Sequence, residues 1–127
     1  MLNMRFLVHQ LLTEQAKLTP DNVALGYRDQ TISYGELSAE VAELASGLTA
    51  LGLERQERVA LFLPKVPEAV TACFATASAG GVFVPVNPVL KAEQVAYILR
   101  DCNVRVLFTQ RSRYQALQEV LAHCPDL

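Results

Sequence analysis

Few residues in this sequence stand at spacings that could do chemistry. Arg111 and Arg113 follow the apolar run Val104–Thr109, at what would be the carboxyl end of a strand. Open α/β sheets place ligands there, and a guanidinium is well shaped for phosphate. These two arginines are therefore candidate anion contacts, set against the plainer reading of two solvated loop arginines. Asn87 and Pro88, after the run Val82–Val86, could line the same groove. Ser33 and Glu36 could pair a nucleophile with a base. The same S-x-x-E spacing before an apolar run is a capping box, and Ile32 and Leu37 stand where its hydrophobic staple belongs. The cap is the better reading, and Tyr34 then becomes a packing anchor rather than an acid. His9 and His123 have no Asp or Cys placed beside them. Cys73, Cys102 and Cys124 show no metal-ligand spacing and read as reduced, buried thiols of a cytoplasmic protein. No catalytic residue and no metal ligand is assigned.

The elements that must position these residues follow from periodicity. Pro67 to Pro88 is the organising stretch. Glu68–Ala79 is apolar on every side, which predicts a helix buried all round. Gly80 and Gly81 close it. Val82–Val86 is a short apolar strand of a parallel sheet, and Pro85 makes it an edge or irregular strand because it lacks a ladder donor. Asn87-Pro88 turns the chain out. Arg5–Lys17 predicts an amphipathic helix, and Val23–Tyr27 with Thr31–Ser33 a hairpin turning at Arg28-Asp29-Gln30. The Ser33 cap opens a helix carrying Leu37, Val41, Leu44, Leu48 and Leu51, with Gly52 as its stop. Gly47 is costly inside that helix unless something packs on it. Arg58–Leu63 and Val104–Thr109 are strands; Ala92–Asp101 and Arg113–Ala122 are helices. The alternation gives an α/β fold, a parallel βαβαβα layer preceded by a helix and a small β-hairpin. Residues 1–33 form the helix and hairpin, and residues 34–127 form a helix plus the α/β unit.

The totals bound the rest. The 127 residues suit one domain, 51% are hydrophobic, and the mean hydropathy is +0.21, so some apolar surface asks for a cover. Eleven basic and 13 acidic residues are evenly mixed, with no basic stripe to read as a nucleic-acid footprint. No apolar run reaches the ~20 residues that span a bilayer. The first residues, MLNMRFLVHQLL, lack a small-residue cleavage site and do not read as a signal peptide.

Three stretches, in order, resemble one family: ISYGEL (32–37), ERVALFLPK (57–65) and AGGVFVPVNPVLKAEQVAYILRDC (79–102). They are similar to the opening of the AMP-forming acyl-CoA synthetases, a superfamily that also holds luciferases and the adenylation domains of peptide synthetases. The run GGVFVPVNPVLK, with Lys65 closing the second stretch, resembles a bacterial subgroup of acyl-CoA ligases associated with exosortase systems. Two departures stand out. Members usually have Gly-Asp where this chain has Gln56-Glu57, and many have Asn where Lys65 stands.

The resemblance implies an N-terminal fragment of the large N-terminal domain of an adenylate-forming enzyme. It implies a cytoplasmic parent that uses ATP, Mg2+ and CoA to convert a carboxylic acid first to an acyl-adenylate and then to a thioester. In some members a CoA phosphate lies on basic residues after the third strand, which points to Arg111 and Arg113. The phosphate-cradling loop and the catalytic lysine are absent. Ala79-Gly80-Gly81 is neither G-x-G-x-x-G nor a P-loop, and its glycines end a helix rather than begin one. The fragment alone is expected to be inactive and to self-associate. Two alternatives stay open: a stand-alone, non-enzymatic α/β binding module, and an adenylation domain serving a carrier protein.

Overall fold

The computed structural model describes residues 7–127. The expected helix start at Arg5, and most of the leader reading, lie outside the described residues. Helix α1 (Val8–Leu18) leads into the antiparallel hairpin β1 (Val23–Tyr27) and β2 (Gln30–Ser33). Helix α2 (Tyr34–Ala50) follows, then β3 (Arg58–Phe62), α3 (Pro67–Ser78), β4 (Val82–Pro85), α4 (Ala92–Asp101), β5 (Val104–Thr109) and α5 (Arg111–Leu121). The three later strands form a parallel sheet in the order β4-β3-β5.

β3 is the middle strand, and its side chains sort the core. Val59 faces a cluster built on Leu12, Leu37, Val41, Leu48 and Ala75, from α1, α2 and α3. Ala60 and Phe62 face the other cluster, with Val95, Leu99, Leu117 and Val120 from α4 and α5. This is the double-sided burial that parallel strands require. Pro85 sits on the edge strand β4, as its missing donor demands. A bulge lies between Arg58 and Val59 where they pair with Val104 and Val106. Arg105 stands out there and binds the Glu57 carboxylate at 2.8 Å.

The caps follow the sequence. Ser33 Oγ accepts the Glu36 N–H at 3.1 Å, and Ile32 packs beside buried Leu37. Gly52 (φ +95) and Gly80 (φ +84) end α2 and α3 in the left-handed region. Gly81 serves differently: a Cβ there would lie 3.1 Å from the Glu57 carbonyl and from the Leu53 and Thr76 side chains.

Two expectations, on α3 and α5, need correction, and the condition the sequence set at Gly47 is answered. Helix α3 is not buried all round. Thr71, Ala72, Ala75 and Thr76 are buried, but Ala69, Val70, Cys73 and Phe74 are only partly so. With Val8 and Phe83 they line a wholly apolar groove of about 320 Å³. The helix packs on α2, on the sheet and on α1, and nothing among the described residues fills the groove left between α1, α3 and β4. Gly47 has no close neighbour; an added Cβ would meet nothing within 4 Å. Helix α5 starts at Arg111 rather than Arg113, because Gln110 already takes the extended N-cap conformation (φ −95, ψ 157).

Gln56 stands at φ +66, a conformation that costs a side-chain-bearing residue roughly 1–2 kcal/mol. A glycine at this position would avoid that strain. The Gln56 N–H bond to the Gly80 carbonyl (2.8 Å) is main-chain and survives substitution. Gln56→Gly and Gly47→Ala are each expected to raise the unfolding free energy by about 0.5–1 kcal/mol in dilute denaturant titrations. A loss of stability in either variant contradicts the geometry at that position. The open side of α3 predicts that the isolated chain self-associates. Light scattering from a persistent monomer at tens of micromolar would count against this.

Candidate functional site

The carboxyl ends of β3, β4 and β5 meet on one rim, and the sequence candidates gather there. The last residues of β3 and β5 are joined where Thr109 Oγ1 donates to the Phe62 carbonyl at 2.8 Å. After β4 the chain turns tightly: Asn87 Oδ1 accepts the Val89 N–H at 3.1 Å and the Asn87 carbonyl accepts the Leu90 N–H at 3.1 Å. Arg113, on the first turn of α5, reaches across to this turn. Its Nη1 donates to the Pro88 carbonyl at 2.7 Å, and its guanidinium lies 4.8 Å over the Phe62 ring. One side chain thus ties α5 to the ends of both β3 and β4.

Arg111 and Arg113 therefore differ. Both lie on α5 rather than on a loop. Arg113 is half-buried and spent on protein contacts, whereas Arg111 is exposed, with no hydrogen-bond partner among the described residues. Asn87 and Pro88 line a groove, but neither Arg111 nor Arg113 is on its wall, so it is not the shared groove the sequence suggested. It measures about 490 Å³ and runs between the hairpin, the β3–α3 loop and the β4–α4 loop, past Tyr27, Leu63, Lys65 and Val66. Its wall is largely apolar, and Lys65 is the one charged residue on it. Sequence reasoning noticed Lys65 only as a departure from the family's Asn, and that departure was the available signal. A second groove of about 550 Å³ opens between the ends of β3 and β5, past Glu40, Glu68, Thr71, Thr109 and Gln110.

The remaining candidates are structural. Ser33 caps α2, and Tyr34 packs on the core around Leu37. His123 is exposed, while His9 keeps Nδ1 buried with no hydrogen-bond partner among the described residues. Among the described residues no group of three or more His, Cys, Asp or Glu is placed to hold a metal ion. The Mg2+ implied by the resemblance finds no ligand set here. No described helix is long and apolar enough to cross a membrane.

Burial pushes the Cys73 thiol above its ordinary value of 9.0, and it does the same to Cys124 against an opposing pull from Arg100. These thiols are poor nucleophiles near neutral pH. A thiol whose folded pKa is raised is stabilising while neutral. That contribution is fully present below the unfolded pKa and is lost as pH rises through the folded one. Stability is expected to decline as pH climbs past about 9, and Cys73→Ala with Cys124→Ala should flatten that decline. Melting curves between neutral and alkaline pH test this; an identical slope in the double variant contradicts it.

Residues 12–127 match the family described as AMP-binding enzyme. Gramicidin S synthase 2 of Aneurinibacillus migulanus is 34% identical over 104 residues, covering 82% of this chain and 2% of that protein. Tyrocidine synthase 1 of Brevibacillus parabrevis is 34% identical over 113 residues, covering 89% of this chain and 10% of that protein. Among solved structures, the anthranilate CoA ligase AuaEII in complex with anthranoyl-AMP superposes with a TM-score of 0.93 at 26% identity. The match covers 99% of this chain and 24% of that one. The N-terminal domain of FACL13 from Mycobacterium tuberculosis superposes with a TM-score of 0.82 at 29% identity, over 90% of this chain and 29% of that one. This chain spans a small share of each relative. Its parallel three-stranded layer is that of the N-terminal domain of adenylate-forming enzymes, and by the match across residues 12–127 the chain belongs to the AMP-binding enzyme family.

Proposed function

We propose that this chain is the scaffold-bearing opening part of a larger ATP-dependent, AMP-forming acyl-CoA ligase. In the first half-reaction a carboxylate oxygen attacks the α-phosphorus of ATP, and pyrophosphate leaves. In the second, the CoA thiol sulfur attacks the acyl carbon, and AMP leaves. The observation that carries this reading is the superposition of nearly the whole chain on a CoA ligase solved with an acyl-adenylate. The chain's own contribution is positional: it supplies a rim of strand ends and loops on which ligands can rest. We assign a CoA-phosphate contact to Arg111, supported by its exposed guanidinium at that rim.

A second reading has its own support. Several sequence relatives, gramicidin S synthase 2 and two linear gramicidin synthase subunits among them, are 31–37% identical to this chain. An adenylation domain would pass the acyl group to a carrier protein's thiol instead of CoA. A stand-alone binding module is the reading both must beat.

The longer protein is expected to catalyse ATP–pyrophosphate exchange with a carboxylic acid, and to release AMP when CoA is added. The 127-residue chain alone should show no exchange above background. AMP release only with a carrier protein bearing a free thiol would select the second reading. Absence of exchange across a broad panel of acids would sink both.

A further inference from the structure

Arg113 looked like a ligand contact in the sequence, yet its guanidinium is engaged within the protein. It donates to the Pro88 carbonyl at 2.7 Å and stacks over Phe62, the last residue of β3. Phe62 is itself held at its carbonyl by Thr109 Oγ1. The next strand is pinned to the same place, where the Val86 N–H bonds the Leu61 carbonyl at 2.9 Å. Arg113 therefore fixes the β4–α4 turn relative to the β3–α3 loop. Those two loops form two walls of the 490 Å³ groove, one carrying Asn87 and Pro88 and the other carrying Lys65, with the hairpin and α3 completing it.

Lys65 is exposed, has no ion-pair partner among the described residues, and is the charged residue on an otherwise largely apolar wall. An ammonium so placed attracts a compact anion. Asn87 Oδ1 is committed to the Val89 N–H, which leaves the Asn87 amide N–H groups as donors on the facing wall. A cation and an amide donor across one groove suit a phosphate oxygen.

We propose that Lys65 binds a phosphate group of a reactant and that Arg113 is its positioning residue, holding the Asn87–Pro88 turn at the distance that binding requires. This rests on the ligase reading above, in which the phosphate belongs either to CoA or to ATP. The two sources share the chemistry and are separated by experiment.

The test is equilibrium dialysis of the longer protein with radiolabelled CoA and, separately, ATP. The variants are Lys65→Asn, Arg113→Met and Arg113→Lys. Arg113→Met keeps an apolar stem on Phe62 but loses the bond to Pro88, so the fold should survive, as circular dichroism can confirm. Lys65→Asn and Arg113→Met should each weaken binding of one ligand by about tenfold, the loss of one charge-assisted contact. They should leave the other ligand unaffected. Adding Lys65→Asn to Arg113→Met should cost little more, because both act on one contact. Arg113→Lys should recover part of the affinity, since an ammonium can still donate to the carbonyl. A loss for CoA names the acceptor as the phosphate source, and a loss for ATP names the nucleotide. Wild-type affinity for both ligands in Lys65→Asn and Arg113→Met overturns the proposal, even if Arg113→Met melts earlier. Failure of the wild-type protein to bind either ligand also overturns it. If binding behaves as described but no acid supports ATP–pyrophosphate exchange, the ligase reading falls and the phosphate site stands.

Discussion

Everything in this fold depends on burying β3 on both faces. Its residues alternate between two cores, with Val59 turned to the α1–α2–α3 side and Ala60 and Phe62 turned to the α4–α5 side. A strand so placed can be stable only with a helical layer above and below and a paired strand on each edge. That one requirement fixes the crossovers, and the crossovers bring three carboxyl ends to a common rim. The rim is a by-product of burial, and it is also where ligands come to rest in open α/β sheets.

The architecture was readable because its signals are local. Apolar runs, helical spacing and glycines at the ends of α2 and α3 need no knowledge of distant residues. Gly52 and Gly80 took the left-handed backbone that their positions implied. Pro85 announced an edge strand because proline lacks a donor wherever it stands. The two departures from the family pattern were also informative. Gln56 occupies a backbone state that suits glycine, and Lys65 places a charge on a largely apolar groove.

What the sequence did not disclose was long-range. The all-apolar face of α3 suggested burial on every side, but composition cannot say how many neighbours a helix has. Its Val70–Phe74 side remains open. Gly47 raised the question of a close approach, and only the fold shows there is none. Arg111 and Arg113 look alike as letters. Their roles separate because Pro88 lies 25 residues upstream of Arg113 and Phe62 lies farther still. Side-chain fates decided by such pairings leave no periodic trace.

On the ligase reading these residues provide the frame, and the loop that cradles the triphosphate lies elsewhere in a longer protein. The most direct measurement is to determine the coding frame of the gene beyond the Leu127 codon. The ligase reading predicts that it continues into a Ser/Thr/Gly-rich loop followed by a lysine, able to cradle the triphosphate. A stop codon directly after Leu127 would contradict it, and the family membership would then describe ancestry and fold rather than ligase activity.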